Sequence, residues 1–354
     1  VISLRHKIGQ MLIMGFSGCD VDEHSPVVKW LKDDGLGGVL LFDFDMTTQC
    51  YGKNLRDREQ IQRLTHQLND YANHNHSTDE NRLPLFIAVD YEGGAVDRLT
   101  KINGCMKTIQ ACEQALLSDK ALYQEAEKMA VTLQDLGFNL NFAPVVDLNL
   151  NEKQGIIGKL GRSFSADPGE VVRAAKQIVT AFAQYEIVCA YKHFPGHGSA
   201  FGDTHEGFVD VTECYHPNEL VPYTMLFNDI SLPPAMVMTA HVVNRQLDAS
   251  GLPATLSSLI ITNLLRHEMG FEGVVVSDDL QMQAISNHYS LDEALRLTIN
   301  AGADMVIFGN QLGDNTATEI IDHIEQLVES GAIERARIEH AYERISHLKQ
   351  HIVR

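Results

Sequence analysis

A chain of 354 residues, 44% hydrophobic and only 21% charged, with no long low-complexity tract, is too apolar for disorder and long enough to bury a large core. Its 28 basic and 47 acidic residues leave a formal charge of −19, which argues against a nucleic-acid or anionic-membrane partner held by bulk electrostatics. No apolar run approaches the roughly 20 residues of a membrane helix, and six scattered cysteines without a CxxC pair make no disulfide framework.

Length alone allows two or three ordinary domains or one large barrel. In chain order, short and nearly continuous apolar runs fall at residues 9–16 and 36–42, before a long polar stretch at 43–81 that contains one helical pattern. Further runs follow at 85–90, 138–144, 187–194, 235–241, 273–278 and 304–309. Such Val/Ile/Leu/Phe-rich segments are the mark of strands covered on both faces by helices. The longer amphipathic patterns at 113–136, 168–185, 217–230, 257–269 and 291–301 predict those helices. Asp167-Pro168 supplies a cap and a first-turn proline, while Gly137 and Gly270 stand where helices stop. Eight buried strands alternating with helices, and no linker-like break, predict an α/β fold: one (β/α)8 barrel over residues 1–354. The 43–81 stretch reads as an insertion, and 335–350 as an extra C-terminal helix. The chain begins at Val1 without a Met, which reads as a trimmed start. A cytoplasmic protein is the expectation, with secretion or the periplasm left open.

The strand ends carry the chemistry. They read Asp90, Lys192-His193, His241, Asp278-Asp279 and Asn310, each where a barrel strand delivers its last side chain to the C-terminal face. Five strand ends that all carry ionisable or amide groups are costly to bury for stability alone. The richest segment is Lys192-His193-Phe194-Pro195-Gly196-His197-Gly198, with Asp203-Thr204-His205 four residues on. Pro and Gly exclude a helix here. In a turn, Asp203 can therefore orient the His205 imidazole and raise its basicity. His193, His197, Asp203, His205 and His241 could instead hold a metal, although the Pro-Gly break denies His193 and His197 a common helical face. In GVVVSDDLQM, Asp278 suits a nucleophile and Asp279 a cap. In VDYEGGAVDRL, Asp90 and Arg98 suit a polar ligand, and Arg162 offers a second guanidinium.

The motifs VDYEGGAVDRL, NFAPVVDL, GRSF, KHFPGHG-x4-DTH, MTAHV, PATLS and GVVVSDDLQM, in that order across nearly the whole chain, resemble glycoside hydrolase family 3, specifically its single-domain β-N-acetylglucosaminidases. The resemblance implies a (β/α)8 barrel that removes terminal β-linked GlcNAc with retention, needs no cofactor or metal, and takes part in peptidoglycan turnover and cell-wall recycling by acting on muropeptide fragments. By the same resemblance Asp278 is the nucleophile and His205, paired with Asp203, the general acid/base. Asp90, Arg98, Arg162, Lys192 and His193 match sugar-binding positions, and Asp147 and Met282 line the pocket. Ala95 replaces a common basic residue, and Thr204 a frequent Ser. Phosphorolysis, chitooligosaccharide trimming and a metal-dependent barrel hydrolase are the alternatives. The expected partner is a small carbohydrate, the default state a monomer. The −19 charge favours small soluble fragments over anionic wall polymer.

Overall fold

A computed structural model of the chain describes residues 1–73 and 82–352. Its centre is an eight-stranded parallel sheet of β1 (Leu12–Met14), β2 (Gly38–Leu40), β3 (Phe86–Val89), β4 (Leu140–Asn141), β5 (Val188–Phe194), β6 (Met236–Thr239), β7 (Val275–Val276) and β8 (Val306–Phe308). The hydrogen-bonded order runs β7-β6-β5-β4-β3-β2-β1-β8, all neighbours parallel. A bridge between Val276 and Met305, with Ser277 N–H donating to Met305 O at 2.9 Å, joins β7 to β8 and closes the ring. Every residue of these strands is buried, which explains why the runs lack polar alternation.

Helix α1 (Leu4–Gln10) precedes the barrel, with the Ser3 hydroxyl capping it at His6 N–H. One main helix then follows each strand, some after a helical turn of four residues: α2 (Pro26–Lys32), α3 (Arg58–Asn73), α4 (Asp119–Leu136), α5 (Pro168–Gln184), α6 (Val221–Asn228), α7 (Leu259–Glu268), α8 (Leu291–Ala301) and α9 (Ala317–Glu329). Helix α10 (Arg335–Lys349) comes last and lies across the bottom of the barrel. From it, buried Lys349 donates to Gln10 Oε1 at 2.8 Å and Gly37 O at 2.7 Å, below the Phe86 ring.

Several expectations need correction. The stretch 43–81 is not one insertion, because α3 is the barrel's own connection between β2 and β3. What exceeds a minimal barrel is the hairpin Phe44–Asp45/Cys50–Tyr51, while the last part of that stretch, 74–81, lies outside the described residues. The helix predicted at 113–136 is broken into Ala111–Gln114 and α4, since the Ser118 hydroxyl takes the Ala121 N–H and starts a new helix. The 217–230 pattern opens with a tighter turn, Pro217–Leu220, before α6. Strand β4 is far shorter than its apolar run because Pro144 has no N–H for the ladder. Helix α7 is wound in wide π-type turns.

Candidate active site

The C-terminal ends of the strands open into a cavity of about 380 Å³, lined among others by Asp90, Glu92, Arg98, Arg162, Lys192, His193, Asp203, His205, Asp278 and Met282. Nine of the ten residues expected at the site therefore face one space. Asp147 does not.

Asp278 follows β7 and accepts the Asp279 N–H at 2.9 Å. Burial alone would raise its carboxyl, but the His241, His193 and His205 imidazoles and that N–H outweigh burial and hold it below the ordinary value. It is therefore an ionised carboxylate at neutral pH. Asp279 has another task. Its Oδ1 accepts Gln281 N–H at 2.9 Å and its Oδ2 accepts Gly309 N–H at 3.0 Å, tying the ends of β7 and β8 together. Burial, with Asp278 next to it, pushes its carboxyl up to about 7.

Across the cavity, His205 Nδ1 lies 2.7 Å from Asp203 Oδ1, which also accepts the His205 backbone N–H at 2.9 Å. Burial lowers the imidazole's affinity for a proton, but the Asp203 hydrogen bond and the Asp278 charge reverse this and raise its pKa above 6.5. Burial likewise opposes the Asp203 carboxylate, yet bonding to His205 brings it down to about 2. The His205 side chain is 58% exposed and that of Asp203 22%, so the imidazole faces the opening while its carboxylate stands behind it.

The deep end is an ionic cluster. Lys192 Nζ, at the end of β5, lies 2.8 Å from Glu92 Oε2 and 3.5 Å from Asp90 Oδ1. Arg162 grips Glu92 with two parallel bonds of 2.9 Å, and Arg98 Nη2 stands 3.8 Å from Asp90. Burial would neutralise Glu92, but Arg162 and Lys192 hold its carboxyl far below the usual range. This cluster offers carboxylate acceptors and cationic donors at fixed positions, the requirement for reading sugar hydroxyls.

Asp147 is the correction among the expected site residues. Its buried carboxylate accepts from His193 Nδ1 at 2.7 Å and from the His197 backbone N–H at 2.9 Å, and so organises the 192–198 segment from behind the wall. A Cβ on Gly198 would sit 1.8 Å from Leu148 O, so only glycine lets this loop pass there. Burial pushes the His197 imidazole down to about 4. Two other strand-end groups are structural. His241 engages Thr255 Oγ1 and Asp279 O, each at 2.8 Å, and Asn310 bonds Gly15, Gln281 and Asn315. Among the described residues, no three His, Cys, Asp or Glu side chains are grouped to hold a metal ion.

The model described as "Glycosyl hydrolase family 3 N terminal domain" matches residues 3–348. The chain belongs to glycosyl hydrolase family 3. Among its relatives, the "Beta-hexosaminidase A" of Pseudoalteromonas piscicida is 32% identical over 89% of this chain, which spans 53% of that protein, about half its length. The "Beta-hexosaminidase" of Xylella fastidiosa strain M23 is 33% identical over 84% of this chain and 82% of its own length. A family 3 β-N-acetylglucosaminidase structure from a Paenibacillus species superimposes with a TM-score of 0.86 at 32% identity, covering 99% of this chain and 63% of that one.

Sequence reasoning missed the family 3 cavity's Glu92, although it lies inside the VDYEGGAVDRL segment between Asp90 and the two glycines. It also missed the wall built by Asp43, Phe44 and Met46 of the hairpin base and by Gln311 and Leu312 after β8. That wall is pinned by Lys53, whose Nζ donates to Asn310 O at 2.6 Å and Gln311 Oε1 at 2.9 Å. No helix among the described residues is long and apolar enough to cross a membrane.

Proposed function

We propose that this protein is a retaining exo-β-N-acetylglucosaminidase whose nucleophile is Asp278 and whose general acid/base is His205 assisted by Asp203. The observation that carries this reading is geometric: the Asp278 carboxylate and an imidazole whose Nδ1 is held 2.7 Å from the Asp203 carboxylate face each other across one cavity. Family membership and the hexosaminidase names of its relatives support the same reaction.

The chemistry follows from which atoms are engaged. Asp203 occupies Nδ1 of His205, so the Nε2–H of the imidazolium is the proton available to the leaving-group oxygen. Asp278 attacks the anomeric carbon as that oxygen departs with the proton, giving a glycosyl ester. Neutral His205, its remaining proton on Nδ1, then takes a proton from water at Nε2. The resulting hydroxyl attacks the anomeric carbon and Asp278 leaves as carboxylate. Two inversions give retention. Asp90, Glu92, Arg98, Arg162, Lys192 and His193 hold the sugar hydroxyls, and Met282 packs beside it. The closed, ion-lined end suits one terminal sugar. The reading favours small soluble fragments, muropeptides among them, because the chain carries −19 overall and its deep cations are already paired with carboxylates.

Acid catalysis matters most for poor leaving groups. Replacement His205→Ala is expected to lower kcat/KM on N,N′-diacetylchitobiose by about 10²–10⁴-fold, and that on a dinitrophenyl GlcNAc by less than about tenfold. Equal losses on the two substrates would remove His205 from the acid role.

A further inference from the structure

Two buried carboxylates stand behind the 192–205 segment. Asp147 grips its first half at His193 and His197. Glu219 grips the second half, from the turn that leads into α6, with 1% of its surface exposed and no part in lining the cavity. Its Oε2 accepts from the Ser199 hydroxyl at 3.1 Å and from the His216 backbone N–H at 2.9 Å, while its buried Oε1 has no hydrogen-bond partner among the described residues. Gly196, at φ +139°, lets the loop close over the side chain, since a Cβ there would lie 2.9 Å from both Glu219 Cβ and Oε1. The Tyr215 hydroxyl adds a bond of 3.3 Å to Pro195 O between the same two segments.

Ser199 stands four residues before Asp203. At the other end of the loop, Ala284 N–H donates to Thr204 O at 3.2 Å, two residues beyond Met282. The Asp203–His205 pair is thus slung between a root held by Glu219, with Asn151 Nδ2 donating to Ala200 O at 3.2 Å beside it, and a tip held by the segment after Asp278. The nucleophile is anchored independently, by β7 and the Asp279 N–H.

From this geometry we propose that Glu219 is a positioning residue for acid catalysis: it fixes the root of the loop that carries His205, and so sets where the imidazole stands against the leaving oxygen. The proposal rests on the glycosidase reading given above. Burial pushes the Glu219 carboxyl up to about 7, so its accepted hydrogen bonds, more than its charge, hold the loop. Alanine at this position leaves the Ser199 hydroxyl and the His216 N–H without their acceptor and opens space beneath Gly196. A misplacement of about 1 Å in a catalytic group costs on the order of 100-fold in rate.

The test measures kcat/KM, which reports only steps up to formation of the glycosyl-enzyme. For Glu219→Ala the value on N,N′-diacetylchitobiose is expected to fall about 100-fold. On dinitrophenyl GlcNAc, which needs little protonation, it should fall less than about fivefold. Glu219→Gln keeps an acceptor for the same two donors and should restore most of the disaccharide rate. Ser199→Ala removes only the hydroxyl bond and should show the same imbalance, smaller; it carries the test if the alanine variant of Glu219 does not fold. The inhibition constant of free GlcNAc should stay unchanged, since the sugar site is untouched. Equal losses on both substrates, or no loss on either, overturn the role of Glu219 while leaving the glycosidase reading standing. A wild-type protein that cleaves neither substrate overturns both.

Discussion

His205 and Asp203 are two residues apart in a loop that cannot be a helix, and their coupling makes a pH dependence that can be worked out in sign. The imidazole's pKa is raised, so its acid form is lost only as pH climbs through a value above 6.5. The Asp278 carboxyl is lowered, so the proposed nucleophile stays ionised to more acid pH than an ordinary aspartate. The kcat/KM profile should therefore fall on the alkaline side above 6.5. Asp203→Asn removes the main group that opposes burial, so the alkaline limb should move down, toward or below 6.5. An alkaline limb that stays in place contradicts the coupling. At this scale the sequence was unusually legible where partners are neighbours. The Asp203–His205 pair could be read because two residues of loop bring them together. Glu92 could not: its partners Arg162 and Lys192 lie 70 and 100 positions away, and only the closed barrel makes them meet.

The elements follow local rules wherever a cap announces them. Three residues beyond Ala115, the C-cap of the short helix, Ser118 begins α4 with its hydroxyl on Ala121 N–H at 3.2 Å. That signal was in the sequence, but the apolar period ran through it and hid the break. Ser118→Ala should lower stability by about 1 kcal/mol in urea unfolding while kcat/KM stays unchanged. A variant as stable as the parent would mean that packing against α5 alone defines this terminus. The eight strands were visible as apolar runs because burial on both faces removes alternation. Their lengths were not, since each strand ends where a loop's side chains and a proline's missing N–H take over the ladder, as at Pro144. The hairpin Phe44–Tyr51 was hidden within a polar stretch because its ladder is two residues per strand and half exposed. The wide turns of α7 left no mark in its periodicity.

Over the whole molecule, chemistry and closure occupy opposite ends of the barrel. The C-terminal face holds the ionic cavity. At the other end Lys349, from the last helix, bonds Gln10 and Gly37 beneath Phe86, with no carboxylate partner among the described residues. Lys349→Ala leaves Gln10 Oε1 without its donor, takes one of two donors from Gly37 O, which keeps the Phe86 N–H at 3.0 Å, and opens a void between α10 and the barrel floor, and should cost about 2–4 kcal/mol in stability. Thermal unfolding should show that loss with kcat/KM intact, because the cavity lies at the far end. A fall in kcat/KM at full stability would show that floor and cavity are coupled. The charge of −19 belongs to this scale as well: the long-range field repels anionic polymer, while the local cations act only within the cavity. The central claim is that Asp278 forms a glycosyl ester, and the most direct test is to trap it. A 5-fluoro GlcNAc fluoride incubated with the wild-type protein, followed by digestion and mass spectrometry, should place one sugar on Asp278; label on any other residue would contradict the account.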